Sequence, residues 1–482
     1  MAPARLAHHR PADAAVGPRI AQLRALPFAA SLRPGYGSPA LIAPQQNQGS
    51  GGRTGLDASS GGDVNRPFAA QGLAPFQVYS YRLQWPADLL TSCAFEMETL
   101  ILGWYVLAAT GSVFLLTLFG ALQFSGTLVA PVVGVVGDRI GHRRLLCGMR
   151  AIYSVLSGTL MCIAFAGAVS PTTVMIVTVL MGLVRPSDIG VRSALIADVM
   201  PTERLMPALG ISRTTSDLAR VMGALSGAGL FAAFGMGPAY VVVTSAYATG
   251  FLLTAAIKNP ATGRGHGAEL ALPRRSAWAD LSAGLAYVWS RPQLLAAMWL
   301  AFLVNLTAYP LSNGLLPYVA REIYLIDKAG LGFLAASFAS GALLGSMVVS
   351  QRSAIRPGRA MIVATLVWYL ALLAFARFAN PVGGMVMLAL AGFAQSFCMV
   401  TLVVMLLRST SVEFRGRVMG VRMLVIYSLP IGLPVAGALI DVVGFHVTAT
   451  LYACVGLLCT FVIALTWRSE LWPAEAPANA RR

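Results

Sequence analysis

GVVGDRIGHRR, residues 134–144, sits between two long apolar runs, Val113–Val136 and Leu145–Val169. Asp138, Arg139, His142, Arg143 and Arg144 make the segment too polar to enter lipid. Each flanking run is long enough to cross a bilayer, which takes about 20 helical residues. The segment therefore reads as a tight hairpin held at one membrane face. Gly134, Gly137 and Gly141 allow close backbone approach and the sharp reversal such a hairpin needs.

Composition extends this reading to the whole chain. The 482 residues are 57% hydrophobic and 11% charged, with a mean hydropathy of +0.70. That much apolar surface needs lipid as its solvent. The net charge of +16 comes almost wholly from arginine, Lys258 and Lys328 being the only lysines. These charges sit at helix ends, without a basic stripe interleaved with aromatics, so they set membrane orientation and no nucleic-acid partner is expected. Cys93, Cys147, Cys162, Cys398, Cys454 and Cys459 all fall in apolar spans, with no CxxC pair or Cys/His cluster that would suggest zinc or a disulfide framework.

Apolar periods place twelve crossings at 86–108, 113–136, 147–168, 172–193, 207–234, 238–257, 293–318, 330–350, 359–377, 381–406, 418–440 and 446–467. The expected organisation is a disordered N-terminal tail (1–74), a six-helix bundle (75–257), a linker (258–292), a second six-helix bundle (293–467) and a C-terminal tail (468–482). The first tail is rich in Ala, Pro, Gly, Ser and Arg and lacks a sustained apolar period. It reads equally as a presequence or as translation from an upstream start. Alternate loops collect arginine: Arg139, Arg143 and Arg144, then Arg204, Arg264, Arg274 and Arg275, Arg352, Arg356 and Arg359, and Arg415 and Arg417. The intervening loops are nearly uncharged except around Arg321–Lys328 and Arg377. The arginine-rich face is expected to be cytoplasmic, with both termini inside. Within the linker, Trp278, Leu281, Leu285 and Val288 recur at helical spacing opposite Asp280 and Ser290, which predicts an amphipathic helix tethering the halves.

The halves echo one another. MPTERLMPALG (200–210) precedes a glycine-spaced helix ending in Phe-Gly, and SVEFRGRVMGVR (411–422) precedes one ending in Val-Gly. Internal repeats of this kind build two bundles around a midplane site. On these features the chain resembles the major facilitator superfamily, whose signature loop G-x-L-A-D-R-x-G-R-R is matched by Gly134, Gly137, Asp138, Arg139, Gly141, Arg143 and Arg144 between spans two and three. His142 departs from it, and the second half keeps only a trace around Gly345, Arg352, Gly358 and Arg359. YRLQWPADLLTS (81–92), LLPYVAREIY (315–324) and FRGRVMGVR (414–422) resemble the enterobactin-exporter and macrolide-efflux-like branch. The resemblance runs from about Phe76 to Trp467. It implies an all-α integral membrane fold of twelve helices in two six-helix bundles, with spans one, four, seven and ten lining the cavity.

Ionisable groups within spans are costly and suggest function. Glu96 and Glu98 lie mid-span in the first helix, about 200° apart around it, so one is expected to line a cavity and the other to pack against a neighbour. Burial of a carboxyl favours its neutral form, which makes both candidates for proton coupling. Arg185, Asp188 and Arg192 share one face of span four around Pro186, a face suited to an anionic group or to pairing with Glu96 or Glu98. Asp217 and Arg220 of span five precede glycines that allow close packing. Asn305, Tyr309 and Asn313 of span seven and Gln395 of span ten offer uncharged hydrogen bonds. Asp138 is expected to fasten the positive end of span eleven near Arg417 and Val418, and Arg139, Arg143 and Arg144 to pair with Glu203 or Glu413.

The expected function is secondary active, proton-coupled efflux of a small amphipathic molecule of the drug or siderophore class, through a bacterial inner membrane. The chain is expected to be monomeric, with the proton gradient as energy source and no cofactor or metal. A proton-coupled importer of a polar solute and a non-transporting receptor on the same fold are the alternatives. No nucleophile–base constellation, phosphate loop or metal spacing supports an enzyme.

Overall fold

The computed structural model describes residues 74–128, 133, 136–137, 139–257, 277–351 and 356–472. These residues contain no strand. Among the described residues, eleven helices are long and apolar enough to cross a membrane, joined by the shorter apolar segment Val113–Thr127. Span one is Tyr79–Thr110, span two begins at Val113–Leu122, and spans three to six are His142–Phe165, Pro171–Val199, Thr202–Phe234 and Met236–Ala256. Span seven is Pro292–Ile323, and spans eight to twelve are Lys328–Gln351, Pro357–Phe375, Pro381–Arg408, Arg415–Val443 and Phe445–Thr466. The protein is an all-α membrane protein of two six-helix bundles. One apolar core joins spans one to six through residues such as Ile101, Leu160, Val174 and Tyr240. The other joins spans seven to twelve around Leu300, Trp368, Leu388 and Leu402.

Helix ends follow local chemistry. Ser112, Ser170 and Asn380 cap spans two, four and ten, each side chain accepting from a first-turn N–H. Pro171 and Pro381 follow two of these caps, where a missing N–H costs nothing. In the opening hairpin, Gly141 takes φ +89° just before span three. That positive φ favours glycine over any residue with a side chain, which accounts for Gly141 of the signature.

Three elements depart from the sequence reading. Span two was expected as one helix to Val136, but its α-helix ends at Leu122 and a 3₁₀ turn follows at Ser125–Leu128. The reason is close packing: a Cβ on Gly126 would fall 2.0 Å from Leu183 O, and one on Gly182 would fall 2.2 Å from Leu122 O. Span seven is wound with wide π turns at Val304–Ala308, Pro310–Gly314 and Val319–Ile323. Tyr309 N bonds Val304 O and Leu315 N bonds Pro310 O, each five residues back. Pro310 and Pro317 lack the N–H that an ordinary ladder would use.

The linker helix, Ala277–Trp289, buries its expected apolar stripe only in part: Val288 is buried and Leu281 packs against the second core, but Leu285 is exposed. Asp280 bonds Arg417 of span eleven at 2.9 Å. Gly284 makes this approach possible, because a Cβ there would lie 3.0 Å from Arg417 O. A salt bridge and a glycine notch thus add to the apolar stripe in docking the helix. Tyr287 stacks on Phe414 at 4.4 Å. Hydrogen bonding from Ser411 pulls its phenol below the ordinary range, with Arg291 adding to the effect.

Span five packs on span one through a second glycine notch. A Cβ on Gly227 would lie 2.6 Å from Met97 Cα, while Gly229 faces open space. Gly227→Leu should therefore lower stability by about 1–3 kcal/mol through overpacking. Thermal unfolding in detergent checks this, with Gly229→Leu expected to melt like the parent.

Candidate functional site

A cavity of about 150 Å³ opens between spans one, three, four, five and six. Ser92, Phe95 and Glu96 line it from span one, Arg185, Asp188 and Arg192 from span four, Arg220 from span five, and Tyr153 and Tyr247 from spans three and six. Glu96 Oε1 lies 3.6 Å from Arg220 Nε. Arg192 Nη2 donates to Asp188 Oδ2 at 2.6 Å and its Nη1 to Ser92 Oγ at 3.0 Å. Arg185 turns away from its span-four neighbours, stacking its guanidinium over the Phe95 ring. Its Nη1 donates to Gln123 Oε1 at 2.9 Å. Helical spacing predicted all three span-four groups on one face, and the structure brings them to one cavity.

Glu98 lies on the other side of span one. It is 2% exposed and accepts from Tyr247 Oη at 3.0 Å and Tyr240 Oη at 3.3 Å. Arg185 lies within electrostatic reach of Glu98 without bonding it. Arg185 thus lines the cavity with Glu96 and a second, smaller pocket with Glu98.

Beneath the cavity is a buried ionic network that the sequence reading missed. Asp88 Oδ1 accepts from Arg150 Nη2 and lies 3.5 Å from Arg192 Nε. Arg150 is wholly buried and also bonds Thr254 Oγ1 of span six. Charges of both signs inside predicted spans one and three, Asp88 and Arg150, were the available signal. Gln123 was missed because span two was read as unbroken.

The second half contributes no carboxylate to this cavity. Gln395 Nε2 donates to Tyr309 Oη at 2.7 Å, and Tyr309 sets its ring edge-on to Trp368 at 5.2 Å between centroids. Asn305 is buried but spends its amide on Ala301 O of its own helix. Asn313 is exposed. Of the four uncharged groups, Tyr309 and Gln395 therefore meet, while Asn305 and Asn313 do not join them, the wide turns of span seven breaking the four-residue spacing that would align its three.

The signature loop is described in part. Gly134 and Asp138 lie outside the described residues, so the expected Asp138 contact with span eleven does too. Gly137 is buried, while Arg139, Gly141, Arg144 and Arg415 are exposed. Arg143 donates to Ala255 O at the end of span six, where a cation suits the helix terminus. His142 Nδ1 bonds Asp198 Oδ2 at 2.7 Å. Among the described residues no ion pair joins Arg139, Arg143 or Arg144 to Glu203 or Glu413, and Arg417 is taken by Asp280 of the linker.

The halves close on each other at the arginine-poor end. Arg321 Nη1 donates to Leu107 O at 2.7 Å, and Lys328 Nζ sits 4.1 Å from the centre of the Phe231 ring. Toward the arginine-rich end, the Arg213 side chain is 60% exposed although it lies well inside span five. Among the described residues no group of three His, Cys, Asp or Glu side chains could hold a metal ion.

Comparison with known proteins agrees with this architecture. Residues 70–481 match the family model described as Transmembrane secretion effector. Macrolide efflux protein A of Streptococcus pyogenes is 20% identical over 386 residues, covering 78% of this chain and 93% of that protein. Among solved structures, the nucleoside transporter NupG superposes with a TM-score of 0.63 at 12% identity, covering 80% of this chain and 100% of its own. A bacterial homolog to the human lysosomal transporter Spinster, inward-facing and occupied, gives 0.62 at 16% identity, covering 84% and 99%. A POT family transporter in complex with a thioalcohol-conjugated peptide gives 0.64 at 12%, covering 81% and 96%. These relatives are transporters rather than enzymes. The chain belongs to the transmembrane secretion effector family and is a multi-pass membrane transporter of the major facilitator superfamily.

Proposed function

We propose that this transporter exports a small amphipathic molecule in exchange for protons, one chain being the working unit. In this reading the arginine-rich face is cytoplasmic, both termini lie inside, and the membrane is the bacterial plasma membrane. The observation that supports it is Arg185, which lines one cavity with Glu96 and a smaller pocket with the buried Glu98. A proton arriving on either carboxyl changes the field on Arg185 and hence on whatever occupies the cavity. Substrate and proton then exclude one another without sharing an atom. The proton gradient supplies the energy, and no cofactor is required. The efflux relative supports the direction.

Proteoliposomes under an imposed pH gradient test the reading, screened with macrolides and siderophores. Exchange drives substrate into vesicles with an acidic lumen. Import by symport drives it into vesicles with an acidic exterior, an outcome that overturns export. Movement indifferent to either gradient overturns proton coupling. Asp138→Asn should slow flux in the coupled direction without abolishing substrate binding.

A further inference from the structure

Three buried polar atoms on residues that line the cavity of the first bundle are left over. Tyr153 of span three is 4% exposed, yet its Oη has no hydrogen-bond partner among the described residues. Asp188 is 5% exposed and gives Oδ2 to Arg192, while its Oδ1 has no such partner. Arg185 gives Nη1 to Gln123, and its buried Nη2 has none. All three side chains line the same volume of about 150 Å³. The other polar groups of this wall are already used. Thr91 donates to Ala87 O, Ser216 to Ser212 O and Tyr247 to Glu98, and Ser92 accepts from Arg192. Arg192 Nε lies 3.5 Å from Asp88 Oδ1. Buried polar atoms are nearly always bonded, and leaving one unmet is costly.

The leftover set has both signs of demand, because guanidinium only donates and an ionised carboxylate only accepts. The charges around the cavity already cancel. Arg150 is met by Asp88, Arg192 by Asp188 and Arg220 by Glu96, and Arg185 shares a second pocket with Glu98. A carboxylate entering here would satisfy Arg185 and repel Asp188, and an ammonium would do the opposite. Either would bring net charge into a balanced and largely buried site, where it is expensive. An uncharged group that accepts at one atom and donates at the next meets both demands. The volume is below the roughly 300–1,000 Å³ of sites that hold a whole drug-sized molecule, so it suits one end of one. We propose that the cavity binds the head of the transported molecule and that this head is an uncharged carboxamide. Its oxygen accepts from Arg185 Nη2 and Tyr153 Oη, and its N–H donates to Asp188 Oδ1. Phe95 and Met181 supply apolar wall for the adjoining carbons. The inference rests on the transport reading above and names the head group of its substrate.

Matched probes on one naphthalene body test it, ending in primary amide, N,N-dimethylamide, carboxylate or primary amine. Binding to the purified full chain in neutral detergent, near neutral pH, is read by melting shift and titration calorimetry. The primary amide should bind at least about tenfold tighter than the dimethylamide, which cannot donate to Asp188, and tighter than both charged probes. Tyr153→Phe should weaken amide binding about three- to tenfold. Without probe, the same variant should melt no lower than the parent, since it removes a hydroxyl that bonds nothing. That separates lost recognition from lost fold.

Equal or tighter binding of the dimethylamide, the carboxylate or the amine overturns the proposal. Amide affinity unchanged by Tyr153→Phe overturns it as well, and so does a failure of every probe to bind, which assigns the cavity to water. Flux keeps the two readings apart. An amide that binds but follows neither pH gradient defeats coupled export and leaves the head-group assignment standing. A carboxylate carried into acidic vesicles, with no preference for the amide, does the reverse.

Discussion

Arg150→Met should cost about 3–5 kcal/mol of stability, the usual penalty for breaking a buried ion pair from one side. The residue is wholly buried, and the substitution leaves Asp88 with Arg192 at 3.5 Å as its nearest cation. Thr254 Oγ1 loses the bond it accepts at the same time, keeping the one it donates to Gly250 O. Asp88→Asn combined with Arg150→Met removes both charges and should recover most of the loss, because an apolar or neutral pair of similar volume is often as stable as the ionic one. Denaturation of the purified protein in detergent measures all three variants. If Arg150→Met unfolds with the parent, the network is not holding spans one, three and six together. The network also fixes Arg192, and through it Asp188, so a variant that still folds should lose substrate affinity.

Glu98→Gln should lower pH-driven flux by about 10²-fold, in the range expected when a proton-transferring group is lost. Glutamine keeps the size and can still meet Tyr240 and Tyr247, but it takes up no proton. Exchange of labelled for unlabelled substrate with no pH difference should persist, because the cavity walls are unchanged. Glu98→Asp should retain partial coupling, and Tyr247→Phe should alter the pH profile of flux by removing one of the two hydroxyl donors. Proteoliposome flux in both modes checks these outcomes. Glu98→Gln protein that follows the gradient like the parent would move the proton site to Glu96. The two carboxyls then separate cleanly, since Glu96 is in the cavity and its replacement should weaken substrate binding as well.

Much of the fold was legible because lipid makes strong demands on sequence. A run of about 20 apolar residues has few alternatives, and the polar hairpin at residues 134–144 fixed where one such run ended and the next began. The opposed directions of Glu96 and Glu98 followed from helical geometry alone, as did the shared face of Arg185, Asp188 and Arg192. What hydropathy does not encode is where an apolar run stops being an α-helix. The break after Leu122 arises from contact with Leu183 and Gly182 across the bundle, and the wide turns of span seven arise where Pro310 and Pro317 interrupt the ladder. The partner of Asp280 was not legible because Arg417 lies far away in sequence. Partnership between distant charges is a tertiary fact, and the Asp88–Arg150 pair went unseen for the same reason.

Span seven has one more implication. Each wide turn holds a residue more than an α-turn would, so its three wide turns carry slack in a rod that otherwise has fixed length. The far end of that rod is clamped, Arg321 being bonded to span one, while its near end follows Pro292 out of the linker. A rigid rod so held could tilt only by dragging the clamp with it. A rod with slack can pass a wide turn along its length, like a fold travelling through a carpet, and change reach while both ends stay attached.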